Sequence, residues 1–458
     1  MKARYVGDRA FYRMALTVAV PIMAQNFITN FVSLLDNLMV GALGTEQMSA
    51  TSISNQILLI FNLAIFGAMS GAGIFTAQYY GKGDNDGIRL TVRFKAVIGL
   101  SISALGLLVF SVFGGRLISL FLHESDAGGD LELTLTLARQ YMNVMLFGLL
   151  PFALTQILAS TVRETGDTFS PMLAGLGAVG VNCLFNYLLI FGKLFFPAMG
   201  VRGAAVATVM SRFFELSAMV LYSAVKRKRL PFFKGAFTSL RIPKAQFAGF
   251  SKKTLPLLFN EVLWSGGMSA LSVAFSLNGL TVVAAYSISS TISQLFNVFT
   301  FSMGVGIGII SARLLGSGKH EEAVDTVRKL IAFSLSIGVA FSVLLFFFGG
   351  QITRLYNTDP ESKTLAVYFI RVFALTLPLA TMASAQYFTL RSGGKTFITF
   401  LFDSGTLWCV TVPLAFILFY AFRLEIHVLF PIVQCAELVK VVVGCIMLKS
   451  RVWVRTIV

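Results

Sequence analysis

A single acidic residue, Asp36, interrupts the apolar stretch MALTVAVPIMAQNFITNFVSLLDNLMVGALGT, which runs from Met14 to Thr45. A carboxylate inside a membrane span is costly, so it persists where it faces a cavity, finds a partner, or takes up a proton or a cation. Ionisable groups at such depth are functional candidates by default. Asp36 therefore indicates either the ion-handling group of a transporter or a buried polar residue that fixes helix packing.

Other polar residues inside apolar runs could join this chemistry. Asn182 and Asn186 lie four residues apart, on one face of a predicted helix, and their amides can coordinate a cation, hydrogen-bond a carboxylate or join helices. Glu261 lies in a later span, about 12 Å from its inner end if the helix rises ~1.5 Å per residue. At this depth Glu261 could either handle ions or extend its carboxylate to the inner membrane interface. Glu437 and Lys440, three residues apart, could neutralise each other. Further acids inside the predicted spans are Glu215 and Asp403.

Membrane-spanning helices must position these residues. The 458 residues are 56% hydrophobic and only 13% charged, whereas a soluble chain carries about 25% charged residues. Twelve apolar runs meet the ~18-residue criterion for a span. They cover approximately 13–44, 47–80, 94–121, 133–162, 168–192, 199–225, 254–278, 280–312, 327–353, 364–390, 396–422 and 427–448. The sequence therefore predicts an all-α membrane protein with twelve transmembrane helices.

The two halves of the chain repeat each other. A shift of 235 residues aligns several pairs, among them Pro21 with Pro256, Gly44 with Gly279, Gly81 with Gly316 and Gly83 with Gly318. A shift of 228 residues aligns Arg163, Gly166, Thr168 and Phe169 with Arg391, Gly394, Thr396 and Phe397. An even number of spans separates the copies, so both face the same way, with a pseudo-two-fold axis along the membrane normal.

This duplication predicts two pseudo-symmetric six-helix bundles. The amino-terminal lobe covers residues 1–225, a cytoplasmic linker covers 226–253, and the carboxy-terminal lobe covers 254–458. A cleft between two such bundles suits alternating access by rocking of the lobes. A duplicated channel or scaffold is the alternative.

The charge distribution predicts the orientation of the chain. The net charge is +16, and 26 of the 37 Lys and Arg residues fall on one predicted side of the membrane. This positive-inside bias predicts a multi-pass membrane protein with both termini in the cytoplasm. No folded basic surface with readout groups is evident, so nucleic acid is not expected as a partner. The linker, with nine Lys or Arg and five Phe, either lies along the inner leaflet or simply sets the topology.

Nucleotide-driven chemistry is not expected. The segment GSGKH at 316–320 is similar to a phosphate-binding loop, but Arg313 stands where the pattern requires Gly and His320 follows the Lys. We therefore expect neither an enzyme nor a cofactor, and transport energy must come from an ion gradient or from the substrate.

The chain resembles the multidrug and toxic compound extrusion (MATE) transporter family. The resemblance rests on twelve spans in two lobes, on Pro21 and Asp36 in the first span, and on the repeated Gly-x-Gly ends of spans 2 and 8. It also includes the segment RETGDT at 163–168 and its copy RSGGKT at 391–396. It implies a monomeric antiporter in the lipid bilayer that exports lipophilic, often cationic organic compounds in exchange for H⁺ or Na⁺.

The resemblance also implies roles for individual residues. Asp36 would be the coupling carboxylate, surrounded by Tyr141, Asn182, Asn186 and Thr208. Asp36, both asparagines and Thr208 would be the candidate Na⁺ ligands. Glu261 matches an acid of span 7 and would couple ions or contact substrate.

Two departures from the family leave the coupling ion open. Relatives often carry Asp where this chain has Asn186, and the predicted span 364–390 lacks the acid that some relatives place there. The repeat mate of Asp36 is the apolar Leu271. The sequence therefore predicts coupling centred on the amino-terminal lobe. The alternatives are a lipid-linked sugar flippase of a related class and a non-transporting channel or scaffold.

Overall fold

Long helices dominate the computed structural model, which describes residues 5–121, 130–355 and 358–458. Within these residues the regular structure is helical, with twelve long helices and a few short 3₁₀ turns. The amino-terminal six are α1 Arg9–Gly41, α2 Thr45–Lys82, α3 Asn85–Ser119, α4 Leu131–Glu164, α5 Phe169–Phe191 and α6 Gly200–Val225. The remaining six are α7 Lys244–Ser276, α8 Leu280–Gly316, α9 His320–Ile352, α10 Pro360–Ser392, α11 Thr396–Tyr420 and α12 Ile426–Lys449.

Eleven of these helices are long and apolar enough to cross a membrane. The twelfth, α7, begins ten residues before the predicted start of its span and carries Lys252 and Lys253 in its first half. Its early start means that the last ten residues of the predicted linker are helical. The all-α, twelve-helix prediction is confirmed.

The chain forms two compact units. The amino-terminal unit contains Ala24–Thr76 and Asp84–Ser251, and the carboxy-terminal unit contains the residues up to Met23, Ala77–Gly83 and Lys252–Val458. The helix α1 therefore passes from one unit into the other just after Pro21, which lies inside it. A proline in a helix interior removes one backbone hydrogen bond, so this is where α1 bends most easily.

The repeated glycines occupy equivalent turns in the two halves. Gly83 and Gly318 follow the ends of α2 and α8 with φ of 78° and 75°. Gly166 and Gly394 precede α5 and α11 and also have positive φ. Residues with a Cβ rarely adopt this backbone conformation, which explains why glycine recurs at these positions.

Two further repeated glycines allow the ends of α2 and α8 to touch. A Cβ on Gly81 would lie 2.0 Å from the carbonyl oxygen of Arg313, and a Cβ on Gly316 would lie 2.0 Å from that of Gln78. Gln78 and Arg313 are themselves related by the 235-residue shift. The contact is therefore reciprocal, as expected for two helix ends related by a pseudo-two-fold axis.

The last residues of the chain cover these helix ends. Gln78 donates from Nε2 to the carbonyls of Ser392 (2.9 Å) and Arg455 (3.2 Å), and its Oε1 accepts from the amide of Ile457 at 2.8 Å. Trp453 is buried beside Gly393. The tail is thus an integral part of the carboxy-terminal unit.

Candidate functional site

Asp36 lies in the last two turns of α1, in a half-buried position. Its main partner is Asn186 of α5, which is completely buried and donates from Nδ2 to Asp36 Oδ1 at 2.5 Å. In the described part of the chain Asp36 forms no ion pair. The carboxylate is therefore stabilised by an amide dipole rather than by a cation.

The predicted spacing of the two asparagines places both on the Asp36 face of α5. The amide of Asn182 fits best with its Nδ2 toward Asp36, donating at 2.9 Å to Oδ1 and 3.3 Å to Oδ2. Its oxygen then accepts from the hydroxyl of Thr208 on α6 at 3.3 Å. In this arrangement two amide donors converge on one carboxylate.

Rotating the Asn182 amide by half a turn reverses this pattern. Its nitrogen then donates to Thr208 Oγ1 at 3.3 Å, and its oxygen accepts from Asn186 Nδ2 at 3.1 Å while facing Asp36. An amide oxygen in that place can accept a hydrogen bond from a protonated carboxyl group. The same residues can therefore match either a charged or a neutral Asp36.

Tyr141 of α4 lies at the edge of this group. It is buried, interacts electrostatically with Asp36 and is close to Thr208. Its hydroxyl donates to Asn55 Oδ1 of α2 at 3.2 Å. The structure thus brings together the five residues that the resemblance assigned to this site, and it adds Asn55, which the sequence analysis missed.

These side chains also offer oxygen atoms to a cation. The Asp36 carboxylate, the two amide oxygens and the Thr208 hydroxyl are hard ligands of the kind that Na⁺ prefers. The buried Asn186 Oδ1 has no hydrogen-bond partner in the described residues. As arranged, however, Asn186 presents its NH₂ group to Asp36. The amides would have to turn before their oxygens faced a shared cation.

A row of charged residues continues from this site through the amino-terminal unit, and it includes Arg212, which no sequence pattern singled out. Arg212 of α6 interacts electrostatically with Tyr141 and with Glu215, and it donates to the carbonyl of Gly148 at 3.1 Å. Glu215 also interacts with Arg163 of α4. The charge of Glu215 is therefore compensated by two arginines.

A buried ion pair joins α3 to the end of α4. Lys95 Nζ lies 2.5 Å from Glu164 Oε2 and also donates to Ser160 (3.0 Å) and Thr161 (3.2 Å). The Lys95 side chain has no exposed surface. Lys95 stands at the start of a predicted apolar run, where it was indistinguishable from an interfacial lysine. Its pairing with Glu164, 69 residues away, could not be read from a local pattern.

Glu261 lies elsewhere, in α7 of the carboxy-terminal unit. It is half-buried and interacts electrostatically with Arg391 of α10 and with Asp403 of α11. The structure does not join it to the Asp36 group. Residues 364–390, which the sequence already shows to lack an acid, belong to α10.

A second polar cluster surrounds Asp403, in a part of α11 that contains two π-helical turns. Lys440 of α12 pairs with Asp403 at 3.1 Å and with Glu437 at 3.0 Å, so the predicted Glu437–Lys440 pair is confirmed. Asn260 donates to Asp403 Oδ2 at 3.0 Å and to the Tyr387 hydroxyl at 3.2 Å.

Asp36 differs from the other acids deep in the helices. Among the described residues, each of the others interacts with at least one cationic side chain; these acids are Glu164, Glu215, Glu261, Asp403 and Glu437. The donors that Asp36 meets among the described residues are all neutral. In this same described region, no group of three or more His, Cys, Asp or Glu residues could hold a metal ion.

A known protein family matches the two halves of the chain separately. The MatE family model matches residues 21–188 and again 256–417, so the two matches begin at the aligned prolines Pro21 and Pro256. The chain is 25% identical over 410 residues to the probable multidrug resistance protein NorM of Thermotoga maritima, covering 89% of this chain and 86% of that protein. It is also 25% identical over 414 residues to the probable multidrug resistance protein YoeA of Bacillus subtilis, covering 89% and 87%.

Solved structures share the fold over nearly the whole chain. An outward-facing multidrug resistance MATE family transporter of the MOP superfamily superimposes with a TM-score of 0.84 at 18% identity, covering 98% of this chain and 97% of that one. The bent form of the Vibrio cholerae MATE transporter VcmN gives a TM-score of 0.81 at 16% identity and covers all of both chains.

Proposed function

Because the chain belongs to the MATE family of membrane transporters, we propose that it is a cation-coupled antiporter that exports lipophilic, often cationic organic compounds. It is a multi-pass membrane protein and not an enzyme. The proposal places it in the plasma (inner) membrane as a monomer, with both termini in the cytoplasm, in line with the positive-inside charge distribution. Transport would proceed by alternating access of the two lobes.

One observation carries the proposal: among the deep acids of the described residues, Asp36 is the one that has amide partners instead of a cation. Protonating a carboxylate that is paired with a cation would leave the partner charge uncompensated in a poorly solvated place. Asp36 can change its charge without that penalty. It is therefore the group best suited to couple transport to an ion gradient.

We infer that the coupling ion is H⁺. When Asp36 is charged, the amides of Asn182 and Asn186 donate hydrogen bonds to it; when it is neutral, the oxygen of the reversed Asn182 amide accepts a hydrogen bond from its carboxyl O–H group. This exchange of donors and acceptors needs only the rotation of one amide. A Na⁺ ion would need several oxygens to turn inward together, which makes Na⁺ the second candidate.

Pro21 is the point at which protonation or deprotonation of Asp36 could bend helix α1. The bond that it removes from α1 lies between Asp36 and the start of the helix, where α1 crosses from one unit to the other. A change at Asp36 would then shift the outer part of α1 and alter the binding cavity for substrate.

Transport by purified protein in liposomes tests the coupling. Efflux of a fluorescent lipophilic cation is measured with an imposed H⁺ gradient at constant Na⁺, and with a Na⁺ gradient at clamped pH. We expect the H⁺ gradient alone to drive efflux, and Asp36→Asn to abolish it. Asp86→Asn is the control, since Asp86 is a surface acid in the first turn of α3.

Each other outcome has a definite meaning. Full gradient-driven efflux by folded, membrane-inserted Asp36→Asn protein would refute the role of Asp36. A response to Na⁺ at clamped pH would replace H⁺ by Na⁺. Flux that ignores both gradients would support a channel instead of an antiporter.

A further inference from the structure

A groove of about 500 Å³ opens on the amino-terminal unit, away from the Asp36 group. Helices α4 and α6 form its walls, and the first part of the linker forms its base. The walls are almost entirely aliphatic; they include Leu154, Ile157, Leu158, Leu216 and Val220. Both wall helices qualify as membrane spans, so the groove faces a region that lipid chains can reach.

The base of the groove has the opposite chemistry. Arg227 and Lys234 line it from the linker, together with Phe233 and Phe237. Both cationic side chains are exposed, and in the described part of the chain neither forms an ion pair. The groove is therefore apolar along its walls and carries at its base two cationic side chains that have no ion-pair partner among the described residues.

The linker holds this base in a defined shape. Phe232 is buried, and Arg93 of α3 donates to the carbonyls of Gly235 and Ala236, each at 3.1 Å. Gly235 has a φ of 77°, which a residue with a Cβ rarely adopts. The backbone that carries Lys234 at the end of the groove is thus held in a fixed turn.

The shape and charge of the groove select one class of ligand. Aliphatic walls offer no partners for the backbone groups of a peptide, and the one hydroxyl among the lining residues, Ser223, already donates to the carbonyl of Met219. The two cations disfavour a cationic drug. An acyl chain with a negatively charged head group satisfies both ends.

We propose that this groove binds one anionic phospholipid. An acyl chain lies between α4 and α6, and the phosphate lies between Arg227 and Lys234. Bound in this way, the lipid links the base of α6, which carries Thr208 nearer its start, to the linker that follows it. The site is independent of the coupling ion, so it stands or falls separately from the transport proposal.

The probes are phosphatidylglycerol and phosphatidylcholine with identical chains, added to the purified full-length protein in detergent. Retained lipid is counted by native mass spectrometry, and thermal unfolding is measured in parallel. The test variant is Arg227→Gln/Lys234→Gln. Its matched control is Lys228→Gln/Arg229→Gln, which removes the same charge from neighbouring linker residues that do not line the groove.

We expect wild-type protein and the control to retain one phosphatidylglycerol and to be stabilised by it, but not by phosphatidylcholine. Each basic residue near an anionic lipid contributes on the order of 1 kcal/mol. The test variant should therefore retain phosphatidylglycerol about thirtyfold less well. Equal losses in both double variants, or no loss in either, would overturn the proposal in favour of general surface charge.

Two further measurements test whether the acyl chain occupies the groove and whether the head group alone is enough for binding. Val220→Trp places a bulky ring in the groove, whereas Leu221→Trp changes a neighbouring residue outside its lining. Retention should fall only in Val220→Trp, and unchanged retention there would refute occupation by an acyl chain. Glycerol phosphate should not stabilise the protein; if it does so as well as the lipid, the site binds phosphate and not a phospholipid.

Discussion

Breaking the ion pair between Lys95 and Glu164 tests how charge is accommodated inside the amino-terminal unit. The two side chains are 0% and 9% exposed, and their charged atoms are 2.5 Å apart. The carboxylate of Glu164 is also closely packed against α2, because a Cβ added to Gly73 would lie 2.0 Å from Glu164 Oε1. The perturbations are Lys95→Met, Glu164→Gln and the two combined.

The structure predicts unequal effects for the two single variants. Removing one member of a buried pair leaves the other charge uncompensated, which costs about 3–5 kcal/mol. Glu164→Gln should lie at the upper end, because it leaves Lys95 beside the like charge of Arg163. Lys95→Met should lie at the lower end, because Arg163 still interacts favourably with Glu164.

The combined variant leaves neither charge behind. Replacing a whole buried pair by neutral groups is often close to neutral in stability. We therefore expect the double variant to lose less stability than either single variant. Lys319→Met is the control: Lys319 pairs with Glu322 at 3.0 Å, but both side chains are more than half exposed, so its loss should cost below about 1 kcal/mol.

Unfolding in mixed micelles, titrated with a denaturing detergent, provides the free energies. Far-ultraviolet circular dichroism is the suitable signal, because all three tryptophans lie in the carboxy-terminal unit. Additive losses in the double variant would refute the reasoning, since they would mean that each charge is compensated by something other than its partner.

Two further predictions concern the turns and the tail. Gly393→Ala places a Cβ 1.7 Å from the carbonyl oxygen of Trp453. We expect overpacking to lower the free energy of unfolding by about 1–3 kcal/mol and to shift tryptophan emission to the red. Unchanged emission would contradict the packing of Trp453 against Gly393. Asp167, which precedes the N-cap of α5, accepts from the amides of Phe169 and Ser170, each at 3.0 Å, and from the hydroxyl of Tyr222; losing these hydrogen bonds in Asp167→Ala should cost about 1–2 kcal/mol, measured by unfolding near neutral pH. Burial opposes the ionisation of Asp167, but these hydrogen bonds outweigh it and hold its pKa below the ordinary value. Its contribution is therefore present above the ordinary pKa and is lost as the pH falls through the lowered one, so the difference between wild type and variant should shrink in acid; a constant difference would contradict it.

Local patterns were sufficient for most of the fold. Apolar runs long enough to cross a bilayer predict helices whatever they pack against, and the described residues form twelve long helices. Glycines that recur in both halves indicate equivalent turns. Gly83 has a positive φ and Gly81 lies in close contact with another helix, and both situations require glycine. The start of α7 was misplaced, since an amphipathic entry such as Lys244 to Lys253 is helical without being apolar.

The site was only partly visible in the sequence. The spacing of Asn182 and Asn186 placed both amides on one helix face, and the structure shows both beside Asp36. The roles of Asn55 and Arg212 depend on contacts between helices that are distant in the chain. No periodicity within one helix reports such contacts, and a single arginine in an apolar run does not reveal its partner.

The arrangement of charges supports our proposal that coupling is centred on the amino-terminal unit. Each unit contains a carboxylate that accepts from a buried asparagine amide: Asp36 from Asn186 in one, and Asp403 from Asn260 in the other. Protonating Asp403 would weaken its pair with Lys440, which would then depend on Glu437 alone. Protonating Asp36 disturbs no cation, because its partners are neutral amides that can reverse their orientation. Both halves thus carry polar groups at positions that the repeat does not relate, but in the described structure only Asp36 combines depth with freedom to change its charge.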